Sequence, residues 1–341
     1  MKRVVAALLV VALQTGVLGY MVYEREWTLR TGEVVYLRTL PVDPRDPFRG
    51  DYVQLSYEIN RLPAGLIDPA ILDIKNKAGT AVYAQLESDA RGVARVTHVR
   101  LAPPAQGLFI RGRLLGDYDW RWAAGPNQIS VKYGVEKFFV PQGAGLAIEE
   151  RRGTRTDWQL PMEIAVALND AGTAVIRDYR WSDIATKLED LTVRPTDPVQ
   201  ARDDNPSPHL RFNIRNDSQR PIAFITDAQD CAFSLEAADG QAVDGSYTGC
   251  ADALMHAADV VVLQPGEVLA REFKLEAPRW HIRSEGFSGE IGKLQAWQQF
   301  RLAYRPPAPE RFTADITPEQ RALLWGSAVL SPAFNNRGRV D

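Results

Sequence analysis

Short runs in which apolar and polar positions alternate fill most of this chain, and turn residues separate the runs. Alternation with period two is typical of β-strands. It predicts four strands before residue 190, at Val34–Leu40, Tyr52–Ile59, Leu108–Leu115 and Ile129–Tyr133. Glycine-containing turns flanked by apolar runs indicate hairpins, and three are predicted at Asn76–Gly79, Ser88–Gly92 and Asn169–Gly172. This part of the chain is expected to be a mainly antiparallel β-domain, as a barrel or a sandwich.

One uncharged run is much longer than any strand. Lys2 and Arg3 precede Val4–Tyr23, where only Gln14 and Thr15 interrupt the apolar character. As a helix, about 20 residues span roughly 30 Å, the thickness of a bilayer core. The run ends in bulky side chains rather than the small residues of a signal-peptide cleavage site. We expect a cytoplasmic stub of residues 1–3 and a transmembrane anchor over residues 4–23, which places the bulk of the chain outside the cytoplasm. A cleaved signal peptide is the alternative.

A proline- and aspartate-rich segment, PTDPVQARDDNPSP, divides the rest of the chain and reads as a linker. We place this linker at residues 191–208, between a β-domain of residues 24–190 and a second domain of residues 209–341. About seven short strands with regular turns after the linker predict an immunoglobulin-like β-sandwich. Near the C-terminus, TPEQRALLW predicts a short helix that is capped by Thr317.

Charge and cysteine content narrow the functional classes. The 341 residues carry a formal net charge of -3, which gives no electrostatic basis for a nucleic-acid partner. Cys231 and Cys250 are the two cysteines, and outside the cytoplasm they are expected to form a disulfide. Two buried thiols are the alternative. A metal site is less favoured, because neither a CxxC motif nor a pair of histidines accompanies them.

Familiar catalytic signatures are absent from the sequence. It contains no Walker A loop, no HExxH and no GxSxG, and GFSGE at Gly286–Glu290 lacks the spacing of a nucleophile elbow. The histidines are scattered, without a pair at helical spacing: His98, His209, His256 and His281. We therefore assign no catalytic residue, no metal ligand and no cofactor.

The segment PVDPRDPFRGD, Pro41–Asp51, concentrates prolines and charges. Its prolines recur every third residue, as in a polyproline II turn, which would align Asp43, Asp46 and Arg49 along one edge. In that conformation the two aspartates lie roughly 9 Å apart at the backbone, which is wide for a shared proton or a compact metal site. Three interpretations stay open: a structural corner, a ligand or partner site, or catalytic carboxylates. The candidate binding residues are Asp43, Arg45, Asp46, Arg49, Asp51 and Tyr52.

The strand after this corner is amphipathic, with Val53, Leu55, Tyr57 and Ile59 on the predicted core face. Together, DPRDPFRGDYVQLSY (43–57) resembles the GDYXXLXY protein family, and the motif residues here are Gly50, Asp51, Tyr52, Leu55 and Tyr57. Three further segments resemble later blocks of the family in the same order: GLFIRGRL (107–114), VKYGVEKFFVPQGAGLAIEE (131–150) and AVIRDY (174–179). The resemblance covers about residues 25–182.

The resemblance implies a bacterial protein, anchored in the membrane at its N-terminus, from a family without a characterised activity. Family members are often encoded near a multi-pass membrane protein, which implies a membrane partner. We therefore expect a single-pass inner-membrane protein with most of its chain in the periplasm or outside the cell, in a non-catalytic binding or assembly role. The alternative is a carboxylate-dependent envelope hydrolase or a cation-binding protein that uses Asp43, Asp46 or Asp51.

Overall fold

The computed structural model describes residues 2–40, 52–74, 77–115, 128–141, 144–154, 157–195, 205–237, 249–250, 252–284, 287–294 and 298–340. Within these ranges the side chains of Ala6, Ala7 and Tyr52 are among those not described. Strands make up 43% and helices 21% of the structure, which confirms the mainly β fold class.

The N-terminal unit contains helices and antiparallel strands that share one core. In chain order they are α1 (Lys2–Thr31), β1 (Glu33–Leu40), β2 (Tyr52–Gln54), β3 (Ser56–Tyr57), β4 (Arg61–Pro63), α2 (Pro69–Leu72), β5 (Ala81–Ser88), β6 (Ala94–Arg100), β7 (Phe109–Leu114), β8 (Gln128–Lys132), β9 (Lys137–Phe139), α3 (Ala144–Arg152), β10 (Met162–Leu168) and β11 (Ala174–Trp181). Pairing builds a four-stranded sheet β11-β10-β1-β3, a five-stranded sheet β4-β8-β7-β5-β6, and the pair β2-β9.

Strand β10 is buried at every residue, and it lies inside the four-stranded sheet. A strand covered on both faces favours a continuous apolar run, which its sequence MEIAVAL supplies apart from one glutamate. Its side chains join those of β1, β5 and β7 in one core, which includes Leu37, Val82, Ile110 and Ile164. The two sheets of this unit therefore pack on the same apolar interior.

Helix α1 meets the N-terminal unit at its last turns. Thr28 is 2% exposed, and the Asn169 side-chain amide lies 3.5 Å from its hydroxyl. The backbone turns sharply at Gly32, where a Cβ atom would lie 2.5 Å from the Thr28 carbonyl and 2.8 Å from the Leu168 carbonyl. The helix thus extends past the expected 4–23 span and docks on the β10–β11 turn. Among the residues that the structure describes, no helix has both the length and the apolar character that crossing a membrane requires.

The C-terminal unit is also built of antiparallel strands. Its elements are β12 (Ile184–Asp190), β13 (His209–Asn216), β14 (Ile222–Ile225), β15 (Phe233–Ala237), β16 (Val260–Leu263), β17 (Val268–Lys274), β18 (His281–Ser284), β19 (Phe287–Glu290), β20 (Gln299–Tyr304), α4 (Pro318–Leu323), β21 (Val329–Leu330) and β22 (Phe334–Asn335). They form the sheet β12-β13-β17, the sheet β15-β20-β21 in which β22 also pairs with β20, and the pairs β14-β16 and β18-β19. These pairings confirm a β-unit without establishing the immunoglobulin-like arrangement.

The second unit begins before the predicted linker. Residues up to 190 were expected in the first domain, but β12 pairs along its whole length with β13, from Ile184 opposite Asn216 to Asp190 opposite Leu210. Ile184 also lies in the core of the second unit. Residues 196–204 of the linker lie outside the described part of the chain.

Two local predictions are wrong. The chain before Asn76 is helix α2 rather than a strand, because the Asp68 side chain caps the Ala70 amide (3.0 Å) and Pro69 occupies the first helical position. The predicted strand Tyr52–Ile59 is divided into β2 and β3 and ends in a 3-10 turn at Glu58–Asn60. The capped helix near the C-terminus is confirmed as α4, where Thr317 and Gln320 form the capping box.

Candidate functional site

The charged half of the predicted corner lies outside the described residues. This applies to Asp43, Arg45, Asp46, Arg49, Gly50 and Asp51. Tyr52 opens strand β2 opposite Phe139, and its side chain is not described. The three interpretations of this corner therefore stay predictions.

The motif residues that the structure does describe are buried. Leu55 and Tyr57 are both 0% exposed, and the flanking Val53 and Ile59 also lie in the core. The Tyr57 hydroxyl donates a hydrogen bond to the Val135 carbonyl at 2.7 Å. Burial, reinforced by the negative charge of Glu136, raises the pKa of Tyr57. This phenol therefore stays neutral and acts as a hydrogen-bond donor inside the domain.

Hydrogen bonds join the end of the motif to the later block VKYGVE. Tyr57 donates its amide to the Asn60 side chain at 2.5 Å, and Asn60 donates to the Val131 carbonyl at 2.8 Å. Glu136 accepts from the Tyr133 amide at 2.6 Å and from the Gly134 amide at 3.0 Å. The two segments are thus joined in the interior of the unit, where hydrogen bonds pair their buried polar groups.

The cysteines form the predicted disulfide, Cys231–Cys250, with Cα atoms 5.4 Å apart. Three histidines have separate neighbours: His209 near Glu272 (3.3 Å), His256 near Asp315 (3.7 Å) and His281 near Ser288 (2.8 Å). Within the described ranges, no group of three or more His, Cys, Asp or Glu side chains could hold a metal ion. The charged side chains that do cluster in the described structure are other residues.

A buried ion cluster crosses the four-stranded sheet of the N-terminal unit. Strand register places Arg38 of β1, Glu163 of β10 and Arg180 of β11 side by side. The Glu163 side chain is 0% exposed. Its carboxylate lies 2.7 Å from Arg180 Nε, 3.0 Å from Arg91 Nη1 and 3.6 Å from Arg38 Nη2. Three guanidinium groups therefore surround one carboxylate, as a buried charge requires.

Aromatic rings cover two of these arginines. The Arg180 guanidinium lies 3.5 Å from the centre of the Tyr36 ring, and that of Arg91 lies 4.3 Å from the Trp325 ring. Arg180 also donates to the Arg91 carbonyl at 2.7 Å. Cation–π contacts of this kind hold the guanidinium planes in place. Because Trp325 belongs to the C-terminal unit, the cluster extends across the boundary between the units.

The segment Trp325–Ala328, which we call the docking segment, joins the units at this cluster. Arg38 donates to the Ala328 carbonyl at 2.8 Å, and the Ser327 hydroxyl donates to Asp89 at 2.5 Å. On its own side, the segment is held by the Trp325 amide, which donates to the Ala223 carbonyl at 2.9 Å. Contacts from both directions fix the two units against each other.

An open space remains beside the docking segment, and we call it the interunit cleft. Its volume is about 770 Å³, within the range of ligand sites. Charged residues of both units line it: Arg38, Glu58, Glu87, Asp89, Arg95, Glu236, Arg301 and Arg305. A smaller cavity of about 30 Å³, also bordered by Arg38, Glu58 and Arg301, has room for a water molecule.

Glu58 and Arg301 approach the cleft from opposite units, and burial opposes the charge of each. Loss of hydration raises the pKa of Glu58, although Arg38 and Arg301 partly counteract it. Burial likewise lowers the pKa of Arg301, against the attraction of Glu58. The Glu58 side chain retains 31% exposure, so the cleft is open to solvent on its side. The charged groups of the cleft are thus partly dehydrated, and a further group of opposite charge would stabilise them.

A second cavity of about 650 Å³ lies where α3 and β11 meet Arg215 and Asp217. It contains two indole rings, but a guanidinium already covers one face of each. Arg215 lies 4.3 Å from the Trp158 ring, and Arg151 lies 5.1 Å from the Trp181 ring. We regard the interunit cleft as the stronger candidate site, because no aromatic ring and no carboxylate of the described residues pairs with its Arg301.

No local pattern of the sequence predicts the cleft or the ion cluster as a whole. A signal was present for Glu163, which is a lone charge in the otherwise apolar strand MEIAVAL. Arg38 similarly interrupts the apolar end of EVVYLRTL. Such a charge must find a partner when its strand is buried, but the sequence does not say which strand supplies that partner.

Residues 14–178 match the model of the GDYXXLXY protein family, which confirms the resemblance seen over about residues 25–182. The match begins within α1 and ends within β11, before β12, the first strand of the C-terminal unit. No curated protein and no solved structure matches the chain. The ion cluster therefore connects a recognised family domain to a unit without a matched relative.

Proposed function

We propose that the chain is a single-pass protein of the bacterial inner membrane whose two β-units lie outside the cytoplasm in a non-catalytic binding or assembly role. The observation that carries this proposal is the surface of helix α1. Thirteen large hydrophobic residues between Val4 and Tyr23 are 52–69% exposed. The exposed residues include consecutive positions such as Leu8 to Val11, which point in different directions around a helix.

A helix that is apolar on all sides is stable when apolar surroundings cover it. A lipid bilayer supplies such surroundings for about 20 residues. Lys2 and Arg3 precede the run, which favours a cytoplasmic N-terminus. Tyr23 and Trp27 stack with ring centres 5.9 Å apart after the run, a position that suits the aromatic belt of the outer interface.

The base of α1 supports a positioning role for the N-terminal unit. Because Thr28 is buried against the β10–β11 turn, the helix is attached to the β-unit without a flexible linker. The docking segment then holds the C-terminal unit against the same β-sheet. In this proposal the family domain presents the C-terminal unit at a fixed place above the membrane, beside a multi-pass membrane partner.

The finer architecture of the C-terminal unit is part of the proposal. We infer an immunoglobulin-like sandwich in which the sheets β12-β13-β17 and β15-β20-β21 face each other. Support comes from the single core that both sheets supply. Phe212 of β13 packs edge-on against Phe233 of β15, with ring centres 6.3 Å apart.

Spheroplasts that contain the full chain test the membrane arrangement. External protease is expected to digest the β-units while leaving the N-terminal helix in the membrane fraction. Protection of the C-terminal unit in intact spheroplasts, with digestion only after lysis, would contradict the proposal. Crosslinking before affinity purification from membranes tests the assembly role, for which a multi-pass protein is the expected product.

A further inference from the structure

Arg301 is the least satisfied charge in the interunit cleft. Its Nε atom is buried and has no hydrogen-bond partner among the described residues. Strand register places it opposite Glu236, but that carboxylate is bonded to Arg305 at 2.5 and 2.8 Å. No carboxylate of the described residues forms an ion pair with Arg301 within 4.0 Å. A guanidinium in this position favours an anionic ligand, because the attraction of Glu58 and Glu236 only partly offsets its loss of hydration.

The charges around Arg301 indicate which anion fits. Glu58, Glu87, Asp89 and Glu236 line the same cleft as four arginines. A phosphate, with nearly two negative charges, would be repelled by these carboxylates. A carboxylate has one charge and two oxygens that match the two parallel donors of a guanidinium. Arg38 adds a second buried Nε at the same cleft, for which the described part of the chain supplies no hydrogen-bond partner.

The cleft also follows the edge of a sheet. Val93 and the first four residues of β6 all line it. Because side chains alternate between the faces of a strand, five consecutive residues border one cavity only along the strand edge. Strand β6 is the last strand of the five-stranded sheet.

Single-residue bridges lie at the two ends of that edge. Tyr36 pairs with Val93, and Ile67 pairs with Val99. In the described part of the chain, no strand pairs with this edge between them. An unpaired edge offers backbone donors and acceptors to an extended peptide.

We propose that the interunit cleft binds an extended peptide segment that pairs with the edge of β6 and places a carboxylate on Arg301. The carboxylate comes either from the C-terminus of the peptide or from an acidic side chain. The inference rests on the proposed binding role and names its ligand class. It does not depend on the membrane topology, which is tested separately.

The test uses the purified full chain in detergent micelles and isothermal titration calorimetry. The probe is an N-acetylated hexapeptide of alternating threonine and valine with a free C-terminal carboxylate. A second peptide ends in a carboxamide, and a third carries a glutamate beside that carboxamide. The first is expected to bind, and its carboxamide form to bind at least about tenfold more weakly. Recovery of affinity by the glutamate peptide would show that a side-chain carboxylate also serves, and no recovery would assign the ligand to a C-terminus.

Arg301→Gln is expected to weaken binding of the carboxylate peptide by about tenfold or more. Arg271→Gln is the matched control, because Arg271 is a half-buried strand arginine of the same unit that does not line the cleft. It should change affinity by less than about twofold. Arg301→Lys serves if the glutamine variant does not fold, and should also weaken binding because it lacks the paired donors.

Three results would overturn the proposal. Equal affinity of the carboxylate and both carboxamide peptides would exclude a role for the carboxylate. Unchanged affinity in both Arg301 variants would exclude this arginine. Acetate or inorganic phosphate that binds as tightly as the carboxylate peptide would exclude pairing along β6. Failure of this test would leave the protease test of the membrane anchor unaffected, so the two proposals can fail separately.

Discussion

Glu163 and Arg180 lie directly opposite each other on neighbouring strands of a buried sheet, with carboxylate and guanidinium 2.7 Å apart. Arg180 stacks on Tyr36, while the other partners of Glu163 reach the docking segment of the C-terminal unit. A single carboxylate thus stabilises one unit and orders the arginines that hold the second.

Replacing Glu163 with glutamine should destabilise the protein strongly. The change removes the negative charge and leaves three arginines around a neutral group, so we expect a loss of about 3–5 kcal/mol. Urea unfolding of the full chain in detergent measures it. Glu87→Gln is the control, because Glu87 pairs with Arg95 on the surface and such a pair contributes about 1 kcal/mol or less. Equal effects of the two substitutions would show that the buried cluster adds nothing beyond a surface pair.

Tyr57→Phe tests the architectural role of a family-motif residue. The substitution removes the donor to the Val135 carbonyl and leaves that buried oxygen unsatisfied. The expected cost is about 1–3 kcal/mol in the free energy of unfolding. Tyr83→Phe is the comparison, since Tyr83 is half-buried and packs edge-on against Phe109. A Tyr57→Phe protein as stable as the Tyr83→Phe protein would contradict the role assigned to the hydroxyl.

Glu58 should make stability depend on pH. Because burial raises its pKa in the folded protein, the folded state keeps this proton at pH values where the unfolded state has released it. The contribution of Glu58 to stability is therefore full below the pKa of the unfolded carboxyl, and falls as the pH rises through the interval up to the folded pKa.

Glu58→Gln removes this titration. The variant should gain stability relative to the parent as the pH rises from about 4 to about 8, with the gain arising above the unfolded pKa. Thermal unfolding across this range measures the difference in melting temperature. A constant difference at all pH values would contradict the assigned cause, as would a gain that appears only on acidification.

Reducing the disulfide should lower the stability of the C-terminal unit. Cys231 and Cys250 are 19 positions apart, and closing a loop of that size contributes about 3 kcal/mol. Thermal unfolding with and without a reducing agent shows the effect. A Cys231→Ser, Cys250→Ser double variant should behave like the reduced parent and should not respond to the reductant. Identical melting of the oxidised and reduced parent would contradict this prediction.

Local signals made much of the fold predictable. The turns at Gly92 and Gly172 both have positive φ, and each lies between paired strands, as the sequence indicates. The core face of Val53 and Tyr57 follows from simple alternation. The strand predicted before Asn76 is wrong, because the capping Asp68 and the following Pro69 outweigh the strand-like run after them.

The candidate site was not predictable in the same way. Arg38 and Glu163 are 125 positions apart, and Arg301 comes from the other unit. Only sheet register and docking bring them together, and neither is encoded in a local pattern. The charges concentrated at Pro41–Asp51 are conspicuous in the sequence, whereas the charges of the cleft are dispersed along the chain from Arg38 to Arg305.

The central claim is that a membrane anchor places the β-units outside the cytoplasm. The topology of the full chain in its membrane tests it most directly. Val193 follows β12 in the C-terminal unit and is 88% exposed, so Val193→Cys offers an accessible thiol, while the native cysteines are held in their disulfide. A cysteine inserted after Met1, with Lys2 and Arg3 retained, is the control. A membrane-impermeant maleimide applied to intact spheroplasts should label the Val193→Cys protein and label the control only after lysis. Protection of Val193→Cys until lysis would contradict an anchored protein with its β-units outside the cytoplasm.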